Sequence, residues 1–138
     1  MELIYPMFAM VILTAVVGGL TGFSRIRSAS TGKIDPRYFR LMSNYDIPAK
    51  VAQLGRNFDN LFEVPVLFYA AGVAALALQI NSPVLYWCMW AFVALRVVHT
   101  IIHISYNHPL HRFVPFALSF VCVVAVWVQL LLFVCEHQ

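Results

Sequence analysis

Apolar residues run through the chain in four long stretches, Leu3 to Phe23, Leu61 to Ile80, Val84 to Ser105 and Phe113 to Val134. Each is close to the ~20 residues that an α-helix needs to cross a bilayer at about 1.5 Å rise per residue. The stretches are rich in Val, Ile and Phe, which favour strands in water. Their length nevertheless exceeds that of strands, and they lack the in/out alternation of a membrane barrel, whereas a helix closes its backbone hydrogen bonds within hydrocarbon. The pattern predicts an all-α membrane protein, a four-transmembrane-helix bundle forming a single domain over residues 1–138, with helices at about 3–25, 47–80, 83–106 and 111–135.

Turn residues punctuate the pattern. Asn81-Ser82-Pro83 closes the second stretch and Asn107-His108-Pro109 the third, because Pro cannot continue a helix at those positions. Connections this short imply antiparallel neighbours. The long connection, Ser24 to Asn60, holds most of the polar residues. Within it Ile47 to Asn60 returns to helical spacing, and Asp46-Ile47-Pro48 resembles an N-cap with Pro in the first turn, so the second helix is expected to start before the membrane. Ser28 to Asp35 reads as a mobile loop.

Composition agrees with this picture. Of 138 residues 62% are hydrophobic and 11% charged, with a mean hydropathy of +0.79, which excludes an ordinary soluble domain, and the length leaves no room for a second one. The N-terminus has no basic region ahead of the first stretch, so the first helix is expected to be retained. Cys88, Cys122 and Cys135 have neither metal-ligand nor paired spacing and read as packing residues.

Charge gives an orientation. Of the nine Lys and Arg residues, Arg25, Arg27, Lys33, Arg37, Arg40, Lys50 and Arg56 lie between the first and second stretches, and Arg112 lies between the third and fourth. The positive-inside rule puts the basic loop 24–56 in the cytoplasm and both termini on the non-cytoplasmic side of an inner or plasma membrane. The net charge of +3 is this topogenic signal rather than a nucleic-acid footprint, since no aromatic-interleaved basic stripe accompanies it. Nucleic acid is therefore not an expected partner.

The polar residues inside the stretches carry the candidate chemistry. Glu63 is the only acid within any of them, and a carboxylate in hydrocarbon costs on the order of 2–3 kcal/mol or more unless compensated. Arg56, Asn60 and Glu63 are spaced i, i+4, i+7 and share one face of a continuous helix. Arg96, His99 and His103, with Asn107 four residues on, form a second stripe whose deepest charge, Arg96, lies roughly 16 Å from Asn107. The two stripes are expected to face each other, within or between subunits, with Glu63 compensating Arg96. Pro65 would clash with the Leu61 carbonyl and loosen the helix beside Glu63. Such a network could merely fix the register of the bundle, but charged residues inside membranes generally line a site. His99 and His103 could also ligate a metal or haem, yet no Cys or carboxylate sits at a helpful offset on that helix, and no metal is expected.

The paired motifs Arg56-x-x-x-Asn60-x-x-Glu63-x-Pro65 and Arg96-x-x-His99-Thr100 resemble those of the MAPEG superfamily, membrane-associated proteins in eicosanoid and glutathione metabolism, here in a bacterial-type form. The span order and loop lengths carry the resemblance over nearly the full chain. It implies a homotrimer of four-helix subunits that binds glutathione between neighbours near the cytoplasmic side. Arg56, Asn60, Glu63, Arg96 and His99 match the motif by position, and Arg25 and Arg112 fall where related enzymes place arginines near the tripeptide or its thiol. A set of several Arg and one Glu suits a ligand with two carboxylates and an amine. His103 stands where glutathione-using members commonly have Tyr, and Phe113 follows Arg112 where a hydroxyl is common.

The expected site is thus Arg112 as the catalytic residue, favouring the thiolate of glutathione, with Arg25, Arg56, Asn60, Glu63, Arg96, His99 and His103 binding the cofactor. The expected function is a membrane-bound glutathione-dependent transferase or peroxidase acting on lipophilic electrophiles from the surrounding lipid. The alternatives are a non-catalytic lipid- or amphiphile-binding protein of the same fold, motivated by His103 and Phe113, and a small ion-coupled transporter. The transporter is disfavoured because an Arg neutralising Glu63 removes the free carboxylate that it needs.

Overall fold

The computed structural model describes residues 2–42 and 45–137, and these are all-helical. The helices are α1 (Ile4–Ser30), a short α2 (Tyr38–Leu41), α3 (Ala49–Asn60), α4 (Val64–Ala77), α5 (Pro83–Ile104) and α6 (Pro109–Glu136). α1, the segment Ala49–Ala77, α5 and α6 are each long and apolar enough to cross a membrane. The four-helix membrane architecture read from the hydrophobic pattern is therefore the one observed.

The connection after the first span departs from expectation. α1 continues to Ser30, and the Lys33 and Ile34 N–H groups both donate back to the Ser28 carbonyl at 2.8 and 3.2 Å, around Gly32 in the left-handed region at φ 70°. Ile34 is buried with Tyr38 and Val51 in a small cluster of its own. Ser28 to Asp35 is thus a helix end and an anchored turn rather than a loose loop, because one apolar residue in it finds a partner on α3. Nor does Asp46 cap the next helix: α3 begins at Ala49 after Pro48, with no side-chain cap.

The second span is broken where Pro65 was expected to disturb it. α3 ends at Asn60, the Leu61 and Phe62 N–H groups close tight turns on Phe58 and Asp59, and α4 restarts at Val64 with Pro65 in its first turn. A proline is tolerated there because its missing N–H would be unpaired anyway. Ser82 caps α5 by accepting from the Leu85 N–H at 3.3 Å, ahead of Pro83.

Side chains of α3 close the other end of α5. The last carbonyls of a helix lack intrahelical donors and carry partial negative charge. Lys50 Nζ donates to the Ile104 carbonyl, and Gln53 Nε2 to those of His103 and Ser105. This puts the basic loop and the α5–α6 connection at one end of the bundle. On the α1 side, Thr21 Oγ1 donates to the Leu54 carbonyl at 3.2 Å, and Gly18 makes room for the Phe58 ring.

The main core lies toward the opposite end, where Phe68 and Phe92 stack at 4.4 Å between centroids and Met10, Leu85 and Met89 are wholly buried. Large apolar side chains such as Phe8, Phe23, Val73, Trp87 and Leu131 face outward, as a surface solvated by lipid allows. At Gly72 of α4 the side chains of Met7 from α1 and Met89 from α5 meet the backbone: a Cβ there would lie 2.7 Å from Met7 Sδ and 3.0 Å from Met89 Cε. Gly72→Leu should therefore overpack the junction by about 1–3 kcal/mol and lower the thermal midpoint in detergent by several degrees. Gly19→Leu, at a position with open space, should leave the midpoint within about a degree or two.

Candidate functional site

The third span delivers its polar residues to the inside of the bundle. Arg96, His99, Thr100 and His103 are all buried, and Arg96 has no exposed surface at all. They recur at three- and four-residue intervals on α5, so one face of that helix carries them while the rest is apolar. α6, the helix most extensively packed against α5, and the break in the second span supply their surroundings.

Arg96 is met by a backbone group. Its Nη2 donates to the Asn60 carbonyl at 2.5 Å, and its guanidinium lies 5.7 Å from the centre of the Phe116 ring, within range of a cation–π contact. In an unbroken helix the Asn60 carbonyl would be spent on the Val64 N–H. The interruption before Pro65 turns it toward Arg96 instead. Glu63, expected to compensate Arg96 within or between subunits, makes no hydrogen bond to it and is exposed on the single chain; its charge acts on Arg96 at longer range, while Nε and Nη1 of Arg96 have no partner among the described residues. The i, i+4, i+7 reading of Arg56, Asn60 and Glu63 assumed a continuous helix, and the break removes Glu63 from that register.

His99, His103 and Arg112 form a second connected group. His99 Nδ1 lies 2.8 Å from the Arg112 carbonyl, which can only accept, so Nδ1 carries the proton and Nε2 of the neutral ring is left as an acceptor without a partner among the described residues. Arg112 Nη1 donates to Asn107 Oδ1 at 2.9 Å and to His103 Nε2 at 3.2 Å. The His99 and His103 rings meet edge to face, with centroids 5.6 Å apart.

A cleft of about 410 Å³ opens beside this group, lined by Asn60, His99, Pro109, Leu110, Arg112, Phe113 and Phe116. Three residues singled out from the sequence, Asn60, His99 and Arg112, thus share one cavity, with Arg96 and His103 attached through Asn60 and Arg112. Arg25, Arg56 and Glu63 stand outside it. Arg25 packs over Gly55, its Nη2 3.1 Å from where a Cβ would be, and Arg56 is exposed like Glu63.

Sequence reasoning passed over several polar contributors. Asn57 is fully buried, and among the described residues neither of its side-chain amide atoms is paired; Thr100, read from the sequence only as part of the motif beside His99, is buried with Oγ1 likewise unpaired among them. Asn57 follows Gln53 by four residues and so shares the α3 face that Gln53 turns toward α5, but a neutral amide in a polar stretch gives no charge signal. Phe116 carries no polar signal in the sequence, and only the fold shows it against both Arg96 and His99.

Comparison with curated proteins returns no match. The family model of the MAPEG family matches residues 3–132, nearly the whole chain, in keeping with four membrane-length helices. The chain is an integral membrane protein and belongs to the MAPEG family.

Proposed function

We propose that this protein is a membrane-bound, glutathione-dependent transferase or peroxidase acting on lipophilic electrophiles. The observation that carries the reading is the cleft in which Arg112, Asn60 and His99 meet the apolar surfaces of Leu110, Phe113 and Phe116. A charged tripeptide and an apolar electrophile can meet only where such surfaces adjoin. Family membership supports the same substrate chemistry.

The donor set suits the tripeptide. Arg112 commits only Nη1 to contacts among the described residues, which leaves Nε and Nη2 for an anion, and His99 Nε2 offers an acceptor. Arg112 favours the thiolate over the thiol by placing a fixed positive charge beside it. The thiolate sulfur then forms a bond to the electrophilic carbon as the leaving group departs with its electron pair. With a hydroperoxide, the sulfur attacks the terminal oxygen, the O–O bond breaks and the alkoxide takes up a proton. The thiol of a second glutathione then attacks the sulfur of the resulting sulfenic acid, forming the disulfide as the S–O bond breaks and water leaves.

Arg25, Arg56 and Glu63 belong, in this reading, to a wall completed by a neighbouring copy in a homotrimer. Arg56 and Glu63 are polar, exposed on the single chain and flank the break that leads to Asn60, so a second copy packed there would enclose them. Arg96 and His103 act through the groups they hold. The Phe113 side chain, 60% exposed where a hydroxyl is common among relatives, favours the second reading, a non-catalytic amphiphile-binding protein.

Titration calorimetry of the detergent-purified protein with glutathione is expected to show saturable heat, and heat equal to buffer at millimolar ligand would refute the binding. Conjugation to a chloronitrobenzene acceptor is expected to proceed and to fall about 10²-fold or more in kcat in Arg112→Ala. Saturable binding with no turnover would instead support the amphiphile-binding reading.

The basic loop faces the cytoplasm, with the termini on the other side, in the proposed orientation. Lys33→Cys, made in a cysteine-free background, should react with a membrane-impermeant maleimide from the cytoplasmic side alone. The exposed native Cys135, as sole cysteine, should react from the opposite side. The reverse pattern would invert the topology.

A further inference from the structure

Two successive turns of α5, and the turn that follows the helix, converge on one residue of α6. His99 donates from Nδ1 to the Arg112 main-chain carbonyl, His103 accepts from Arg112 Nη1 through Nε2, and Asn107 accepts from the same Nη1 through Oδ1. The spacing 99, 103, 107 puts all three on one face of the helix and just beyond its end. One guanidinium nitrogen has two hydrogens, and each is directed to an acceptor. Backbone and side chain of Arg112 are thereby fixed to the same neighbouring helix. The remaining edge of the guanidinium is left to the cleft that Arg112 itself lines.

Asn107 is built for this task. Its φ of 52° lies in the left-handed region, which Asn tolerates better than most residues. Its N–H closes back on the Ile102 carbonyl at 2.9 Å. The turn that ends α5 therefore also aims the Asn107 amide back along the helix toward Arg112. His103 stands at a position where a tyrosine hydroxyl could donate as well as accept. A neutral imidazole protonated at Nδ1 presents Nε2 only as an acceptor, which suits an arginine donor.

We propose that Asn107 and His103 are positioning residues that clamp Arg112 through Nη1, so that its Nε and Nη2 edge is presented to an anionic group in the cleft. The clamp is a property of the unliganded chain. Its catalytic consequence rests on the function proposed above.

Four variants and two readouts test it. His103→Leu and Asn107→Gly each remove one acceptor, and glycine keeps the positive φ free of strain. His103→Gln places an amide oxygen near the position of Nε2, and Asn107→Asp keeps an acceptor at Oδ1. The first readout needs no glutathione: the rate at which phenylglyoxal modifies Arg112, followed by mass spectrometry of the detergent-solubilised protein. It should rise about tenfold in the double variant His103→Leu/Asn107→Gly, and stay within about threefold of the wild type in His103→Gln and Asn107→Asp.

The second readout is the conjugation reaction. The double variant should lose at least about tenfold in kcat, with KM for glutathione changed less than about threefold, and the two conservative variants should retain most of kcat. An unchanged Arg112 modification rate in the folded double variant overturns the clamp. So does a His103→Gln protein that exposes Arg112 as much as His103→Leu does. A wild type that turns over no substrate refutes the proposed function, while the phenylglyoxal rates still decide the clamp.

Discussion

Arg96 lies wholly out of solvent partway along a helix that has to cross hydrocarbon, and a guanidinium there must be met by groups of the same protein. Much of the site's geometry can be traced to how this is done. The second span breaks between Asn60 and Val64, a backbone carbonyl turns away from its own helix, and Arg96 takes it. Pro65 makes the break tolerable because a proline in a first helical turn forfeits no hydrogen bond. The face of Phe116 covers the guanidinium from α6. One charge thereby ties three helical segments together at the depth where the cleft begins.

The same economy governs the end of α5. A helix terminus at a membrane interface has carbonyls to satisfy and a partial negative charge to offset. Lys50 and Gln53 of α3 do both, fixing α3 against α5 before the chain reaches its break. Because α3 is held at its start by these contacts and at its end by the Asn60 carbonyl, its register against α5 is set over the interval between, while Leu54, Gly55 and Phe58 meet α1. Asn57 falls in that interval and is buried without a hydrogen-bond partner among the described residues. A buried amide without partners costs roughly 1–3 kcal/mol or more.

The bundle and its disturbance at Pro65 were legible in the sequence because both follow from local rules: apolar runs of membrane length, and a proline that cannot donate. The site was legible in part. Asn60 and His99 could be named from residue type and spacing and Arg112 from the family resemblance, and the three line one cleft. On the single chain Glu63 acts on Arg96 only through charge at longer range, because helical spacing predicts a shared face only while the helix continues, and here it stops between Asn60 and Glu63. The first helix was ended too early for a related reason: Arg25 and Arg27 mark where a hydrophobic stretch ends, but helical hydrogen bonding has no need to stop there. Asn57 and Phe116 escaped because nothing in their neighbourhoods of sequence shows which tertiary partner they meet.

Arg112 and the outer polar residues differ in a way that bears on how a ligand would be held. Arg56 and Glu63 are exposed on the single chain, and so adaptable, whereas Arg112 is anchored at its carbonyl and at one nitrogen by a single rigid helix. Charge that is fixed before a ligand arrives need not be reorganised when negative charge develops beside it, which is where a preorganised donor has its largest effect. The immediate neighbours of Arg112 in the cleft are Leu110 and Phe113, both exposed and apolar. The α6 turn that carries the fixed charge therefore also carries the apolar surface. A thiolate held at Arg112 would lie at the boundary between the polar interior of the bundle and the lipid side, where a lipophilic electrophile could reach it without crossing the buried stripe of α5.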